Sequence, residues 1–311
     1  MARPGKASIA VVHAFPDCEE PARRLAALVN ARFETIDAHV FPDGERRVRV
    51  TSPGRHAIIY RSLNDPQSRD PNDRLIEVLL ACSALRAAGT CRITLVAPYL
   101  AYMRQDVAFR HGEAVSQKVI GRLLGGAVDT VLSVDPHLHR TRSLGAVFGA
   151  GKGLAISAAP AFVELLRAER VRPDTVVLGP DAESEAQVRR LARPLGLQWL
   201  TAEKRRSGDR TVRVRLPNAG LLKGRPVVLF DDMVSTGATL CQCAVLAGRA
   251  GAASIEALAV HALYGPGEQA AFQAAGIARV RSSDSLVHPS NVVALAPLIA
   301  AALAGTGRKG R

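Results

Sequence analysis

The sequence predicts an α/β protein made of two similar domains, each a doubly wound parallel sheet, and three observations predict it. Short Val- and Ile-rich runs with little polar alternation recur along the chain, as parallel strands covered on both faces require. Longer amphipathic segments separate them, giving the strand–helix–strand repeat from which parallel sheets are built. A glycine-rich stretch around 145–153 interrupts the alternation, which resumes beyond it and divides the 311 residues into two parts of ordinary domain size. The expected domains are 1–149 and 150–295, followed by a C-terminal helix and tail over 296–311.

The elements follow in order. Strands are expected at 8–12, 57–60, 92–97 and 130–134, then at 175–178, 226–230 and 254–259. A helix is expected over 75–88, where Leu75, Val78, Leu79, Cys82 and Leu85 make one apolar face. Asn72 and Asp73 precede it as capping candidates and Gly89 follows as a stop. Pro160 opens a further helix with Phe162, Leu165 and Leu166 on one side. The polar tail 305–311 is expected to fray.

Composition narrows the function classes. At 48% hydrophobic and 22% charged, the chain can bury a core and stay soluble. It has no run approaching the roughly 18 apolar residues of a membrane span. The opening MARPGKASIAVVHAF reads as a first strand rather than a signal peptide, so a cytoplasmic protein is expected, with no membrane partner. Of five cysteines only Cys241 and Cys243 are close, which suits buried free thiols better than zinc. Lys and Arg exceed Asp and Glu by 41 − 28 = 13, suggesting polyanionic partners, although an arginine-rich composition explains much of the excess. With aromatics at 4%, phosphorylated metabolites fit better than nucleic acid.

The segment VVLFDDMVSTGATL, 227–240, carries the most chemistry. A buried strand leads to Asp231 and Asp232, then to a loop of Ser235, Thr236, Gly237, Ala238 and Thr239, then to an alanine-rich helix. Ligands of open α/β sheets bind beyond the carboxyl ends of the strands. Gly237 admits close approach of backbone amides, the helix N-terminus adds unpaired N–H groups, and the three hydroxyls supplement them around a phosphate. The two carboxylates suit the two ring hydroxyls of a ribose, so the segment describes a site for ribose 5-phosphate. An acidic pair that merely caps a helix would not require two acids, a hydroxyl-rich loop and a glycine in this order. The segment resembles the phosphoribosyl pyrophosphate loop of type I phosphoribosyltransferases. By itself it does not separate a base-coupling transferase from a synthetase.

Four further stretches resemble the ribose-phosphate pyrophosphokinase family. The first is FPDGERRVRV, 41–50. On its own, D-G marks a hairpin turn. The resemblance sets Phe41 against the adenine of ATP and Asp43 and Glu45 on the base, in a site shared with a neighbouring subunit. The second spans 72–124 and contains P-Y-x-x-Y-x-R-Q-D, in which Arg104 and Gln105 match nucleotide contacts. The third, VLSVDPHLH, ends a strand in Asp135 and His137; the resemblance implies that His137 helps to hold the magnesium–nucleotide, while His139 is read as structural. The fourth, VVLGPDAESEAQVRRLA, puts Asp181 at the second magnesium ligand. Beyond it, Glu203–Lys204–Arg205–Arg206 and a basic stretch with Asp209 and Arg210 match the family's mobile catalytic loop. Lys204 and Arg206 take the positions that reach the transferred phosphates.

The resemblance implies transfer of the β,γ-pyrophosphoryl group of ATP to the anomeric hydroxyl of ribose 5-phosphate, with Mg²⁺ as cofactor, by a homo-oligomer built from dimers, up to a hexamer. A silent regulatory relative and a base phosphoribosyltransferase are the alternatives. The chain departs from bacterial and animal members at Ser235, where they have Asp, at Glu183–Ser184, where they have a Gly pair, and at Asp135–Pro136–His137, where they have Asp-Leu-His. The S-T-G and G-P-D versions look more like archaeal members.

Overall fold

The computed structural model describes residues 10–67, 70–138, 140–207 and 211–306. The chain divides into two compact units, Met1–Ile156 with Leu295–Arg311, and Ser157–Ala294. Asp209, Arg210, His139 and the end of the tail lie outside the described residues.

In the first unit the strands are β1 (Ala10–Ala14), β2 (Arg32–Thr35), β3 (Asp37–Val40), β4 (Arg46–Arg49), β5 (His56–Tyr60), β6 (Arg92–Val96), β7 (Thr130–Val134) and β8 (Gly153–Ile156). The helices are α1 (Glu19–Leu28), α2 (Pro71–Ala87), α3 (Ser116–Ala127) and α4 (Leu144–Phe148). Six strands form one sheet in the order β2-β1-β5-β6-β7-β8, all pairs parallel. β3 and β4 make a separate antiparallel hairpin, as the D-G pair predicts. Fully buried Val11, Val12, Ile59, Ile93 and Leu95 fill the sheet's core; burying each aliphatic side chain of this size contributes roughly 1.5–3 kcal/mol.

In the second unit the strands are β9 (Val176–Gly179), β10 (Gln198–Thr201), β11 (Glu203–Ser207), β12 (Thr211–Arg215), β13 (Pro226–Val234), β14 (Ser254–Ala262), β15 (Val280–Ser283) and β16 (Asn291–Val293). The helices are α5 (Ala159–Ala168), α6 (Glu185–Ala192), α7 (Ala238–Arg249) and α8 (Pro266–Ala274). The sheet order is β10-β9-β13-β14-β15-β16, again parallel throughout. Phe162 of α5 packs edge-on against Phe230 of β13, with ring centroids 5.4 Å apart. The last helix, α9 (Ala296–Thr306), belongs to the first unit and packs on α1 and β8.

The doubly wound α/β class holds for both units, and several details differ from the sequence expectation. The break between units falls at Ile156/Ser157, later than the glycine stretch. One glycine of the stretch serves packing: a Cβ on Gly153 would stand 2.3 Å from the carbonyl carbon of Leu144, so only glycine lets α4 fold back on β8. The cap of α2 is Asp70, whose carboxylate accepts from the Asn72 amide at 2.7 Å. Asn72 and Asp73 therefore lie inside the first turn rather than before it. β13 continues through Asp231, Asp232 and Met233 to Val234, because its main chain stays paired with β14. Acidic side chains end a strand in a propensity argument, but they do not break a backbone ladder.

Candidate functional site

In the second unit the chain passes from β9 outward to β10, whereas from β13 it proceeds the opposite way to β14 and β15. The strand order thus reverses between β9 and β13, and a crevice opens there beyond their carboxyl ends. β9 stops at Gly179, while β13 runs past it through the two acids. Asp181 follows β9 and caps the next turn, its Oδ1 accepting from the amides of Glu183 and Ser184 at 3.1 and 3.2 Å. Ser184 is buried and its Oγ donates to the Asp181 carbonyl at 2.6 Å, so the Glu183–Ser184 departure keeps a closed turn.

Asp232 and Asp181 both act on Asp231. Burial pushes the Asp231 carboxyl well above the usual carboxylate range, and the negative charges of Asp232 and Asp181 push it further. Asp231 Oδ1 accepts from the Asp232 amide at 3.0 Å, which fixes its orientation.

Beyond β13 the loop turns at Gly237, whose φ of +66° suits glycine, and whose missing side chain leaves room for a ring. A Cβ there would stand 2.1 Å from Cε1 of Phe272. Phe272, on α8 and 2% exposed, is the floor of the loop. It packs edge-on against Tyr264 at 5.0 Å between centroids, and Tyr264 meets His288 at 4.3 Å. α7 starts at Ala238, whose amide lies 3.5 Å from Thr236 Oγ1. The first-turn amides of Ala238, Thr239 and Leu240 have no acceptor within the helix, and Ser235 and Thr239 are half-buried beside them. Backbone donors, hydroxyls and a helix N-terminus in one loop form an anion cradle.

The matching place in the first unit, between β1 and β5, is filled differently. Arg61, just past β5 and 5% exposed, pairs with Asp17 and with buried Glu77. Arg74 also pairs with Asp17. Guanidinium–carboxylate pairs occupy this switch point, so the two similar sheets are not equivalent sites.

The candidate nucleotide residues of the first unit fall into three segments. Phe41 is 40% exposed at the tip of the β3–β4 hairpin, with His39 edge-on at 4.9 Å. Asp43 and Glu45 are exposed in the same turn, closed by the Phe41 amide on the Glu45 carbonyl at 2.8 Å. Arg104 is exposed, and Gln105 accepts from Ser116 Oγ at 2.8 Å. Asp106 is held below the usual carboxylate range: burial would raise it, but the Arg140 amide at 2.8 Å and guanidinium at 3.0 Å outweigh burial. That contact, with Thr141 donating to Gln117 at 2.7 Å, draws the 104–106 loop beside the 135–141 loop. His137 is half-buried there, past Asp135, whose φ is +33°.

Lys204 and Arg206 lie on β11, opposite Val214 and Val212 of β12 in an antiparallel ladder. Phe272 and Arg140 were not recognisable as site residues; neither sits in a motif, and each matters only through a contact distant in sequence. Among the described residues no three His, Cys, Asp or Glu side chains group as a ready-made metal centre.

Two parallel six-stranded sheets, one with a glycine–threonine loop and an acid pair at its switch point, define a protein of the type I phosphoribosyltransferase fold. Residues 11–127 match the N-terminal domain of ribose phosphate pyrophosphokinase, and residues 155–291 match the phosphoribosyl transferase domain. The Methanopyrus kandleri ribose-phosphate pyrophosphokinase is 30% identical over 90% of this chain and 94% of its own. The Thermococcus kodakarensis enzyme of the same name is 33% identical over 76% and 81%. A crystal structure of phosphoribosylpyrophosphate synthetase from Mycobacterium smegmatis superposes with a TM-score of 0.83, at 25% identity, over 97% of this chain and 99% of that one. The chain belongs to the ribose-phosphate pyrophosphokinase family.

Proposed function

We propose that the protein is a ribose-phosphate diphosphokinase, transferring the β,γ-pyrophosphoryl group of ATP to the anomeric hydroxyl of ribose 5-phosphate to give phosphoribosyl pyrophosphate and AMP. One observation carries this most directly: three carboxylates and the Gly237 loop gather at the switch point of the second unit. The 5-phosphate is taken by the Ser235–Thr239 loop, and the ribose diol by Asp231 and Asp232. The nucleotide falls to the first unit, with adenine on Phe41, Asp43 and Glu45 in a site shared with a neighbouring subunit, and phosphates on Arg104, Gln105 and His137. A base phosphoribosyltransferase would need only the second unit's loop, and would leave these segments without a use.

Asp181 suits Mg²⁺, since it offers a hard carboxylate oxygen in an orientation set by two amides. The crowding of negative charge that raises Asp231 is what a divalent cation relieves. His137 is the proposed second ligand. When bound, the ion would offset the negative charge of the polyphosphate. In the reaction the anomeric oxygen forms a bond to the β-phosphorus in line and gives up its proton to solvent, and the bond from that phosphorus to the α,β-bridging oxygen breaks to release AMP. Such transfers rest on alignment and neutralisation more than on covalent help. Lys204 and Arg206 supply cationic charge to the phosphates in the transition state. A dimer-based homo-oligomer in the cytoplasm belongs to the same proposal.

The test is an incubation of purified protein with ATP, Mg²⁺ and ribose 5-phosphate, followed by ³¹P NMR. AMP and phosphoribosyl pyrophosphate in equal amounts, absent without ribose 5-phosphate, support the synthetase. Binding of both substrates without turnover would favour a silent regulatory relative. Lys204→Ala should lower kcat at least about 100-fold, roughly 2.7 kcal/mol of transition-state stabilisation, while ribose 5-phosphate binding stays nearly intact. Survival of activity within about tenfold would remove Lys204 from the mechanism.

A further inference from the structure

We propose that Gln117, buried in the first turn of α3, is a positioning residue for the phosphates of the nucleotide: within one subunit it joins the Arg104–Gln105 loop to the His137 loop. The proposal rests on the reading that these two loops take the phosphates of ATP. The loops leave neighbouring strands, since β6 and β7 pair in parallel up to Val96 and Leu132. Beyond the strand ends the sheet no longer sets their spacing. There Gln117, 4% exposed, reaches both of them. Its main-chain N–H, which a residue in the first turn cannot pair inside the helix, donates to the Gln105 carbonyl at 3.2 Å. Its Nε2 donates to the Met103 carbonyl at 3.2 Å, so the carbonyls on both sides of Arg104 are held by one residue. Its Oε1 accepts from Thr141 Oγ1 at 2.7 Å, beyond His137 in the other loop.

A buried glutamine satisfied by its own helix, or by a single neighbour, would leave the two loops independent. Here the donor and acceptor ends of one planar amide go to different loops, and the rigid amide fixes the distance between them. Ser116, beside it, donates to Gln105 Oε1 at 2.8 Å, so the side chain of Gln105 is aimed from the same turn of α3. The bend before Arg104 needs such a hold. Tyr102 has a φ of +65°, a conformation that a bulky residue keeps only when its surroundings impose it, and Met103 next to it is 1% exposed. The other link between the loops, Arg140 on Asp106, lies at the surface, with the arginine side chain 63% exposed, where water competes for it. Gln117 is the buried joint, and it sets the spacing at which Arg104 and His137 meet one polyphosphate. In-line transfer depends on that alignment.

Gln117→Met, which keeps an unbranched side chain of similar length without its amide, and Thr141→Val test this in the full chain. The readout is calorimetric binding of α,β-methylene ATP with Mg²⁺, which does not depend on turnover. Thr141→Val should weaken the analogue about tenfold, the scale of one buried partner left unpaired, and Gln117→Met about 10–100-fold. Ribose 5-phosphate affinity should stay unchanged in both. The double variant should be no worse than Gln117→Met alone. Leu124→Val, at a fully buried position further along α3, controls for a general loosening of the helix: it should lower Tm and leave analogue affinity unchanged. If the parent protein binds the analogue but makes no product, the synthetase reading fails while the variants still decide the positioning role. Unchanged analogue affinity in Gln117→Met, an equal loss for ribose 5-phosphate, or an equal loss in Leu124→Val would overturn the positioning role alone. No analogue binding by the parent protein would overturn both.

Discussion

Asp231 is held in the folded chain in surroundings that oppose its negative charge. Its carboxyl is raised by burial first and then by Asp232 and Asp181, so the folded chain binds a proton there more readily than the unfolded chain does. Between the unfolded and folded pKa values the native state holds more protons, and stability falls as pH rises through that window. At neutral pH Asp231→Asn should therefore raise Tm, by about 2–4 °C for each kcal/mol relieved in a domain of this size. The Asn side-chain carbonyl can keep the bond to the Asp232 amide. The same variant should lose ribose 5-phosphate binding, which titration calorimetry would read directly. A Tm that falls or stays put would mean that the local charge is already compensated. That two acids stand side by side ahead of the loop was legible in D-D before S-T-G. The electrostatic strain on Asp231 was not, because it needs burial and the charge of Asp181, which follows another strand.

Among the elements, the β13–loop–α7 unit was read in the right order but ended too early, since its ladder with β14 runs beyond the first acid. The short strands β2, β8, β10 and β16 at the sheet edges, and β15 between β14 and β16, went unread, being too short or too polar to show a pattern. The hairpin of β3 and β4 was visible through D-G alone. The loop on α7 makes its own prediction, because Gly237 lies against the Phe272 ring. Gly237→Ala should weaken ribose 5-phosphate affinity by about 10–100-fold, since one collision displaces the whole cradle and a methyl at positive φ adds roughly 1–2 kcal/mol of strain. Phe272→Leu in that background should recover part of the loss by clearing the ring edge, and not all of it, since φ remains positive. Equilibrium binding by both variants checks this; full loss in the double variant would mean that the ring is not the obstacle.

At the scale of the whole molecule, the chain builds one sheet, then the second, and then returns. α9 closes the first unit after the second is complete, with Leu295 and Ile299 fully buried. Ile299→Ala should cost the first unit about 2–5 kcal/mol. Hydrogen exchange should then speed up in α1, β8 and α9, with the amides of β13 and α7 unchanged. Faster exchange throughout would show that the units unfold together.

The sequence by itself determined what local chemistry determines: the fold class, the order of the main strands, the glycine–threonine loop after its two acids, and the family resemblance. Each is written in neighbouring residues, where periodicity and motif spacing operate. Only the tertiary structure decided which switch point is open and which is filled by Arg61, Asp17 and Glu77. It alone placed Phe272 under Gly237 and Arg140 on Asp106. These depend on contacts between residues far apart in the chain, which no local pattern encodes, since the same side chain caps a helix or anchors a loop according to what the fold brings beside it.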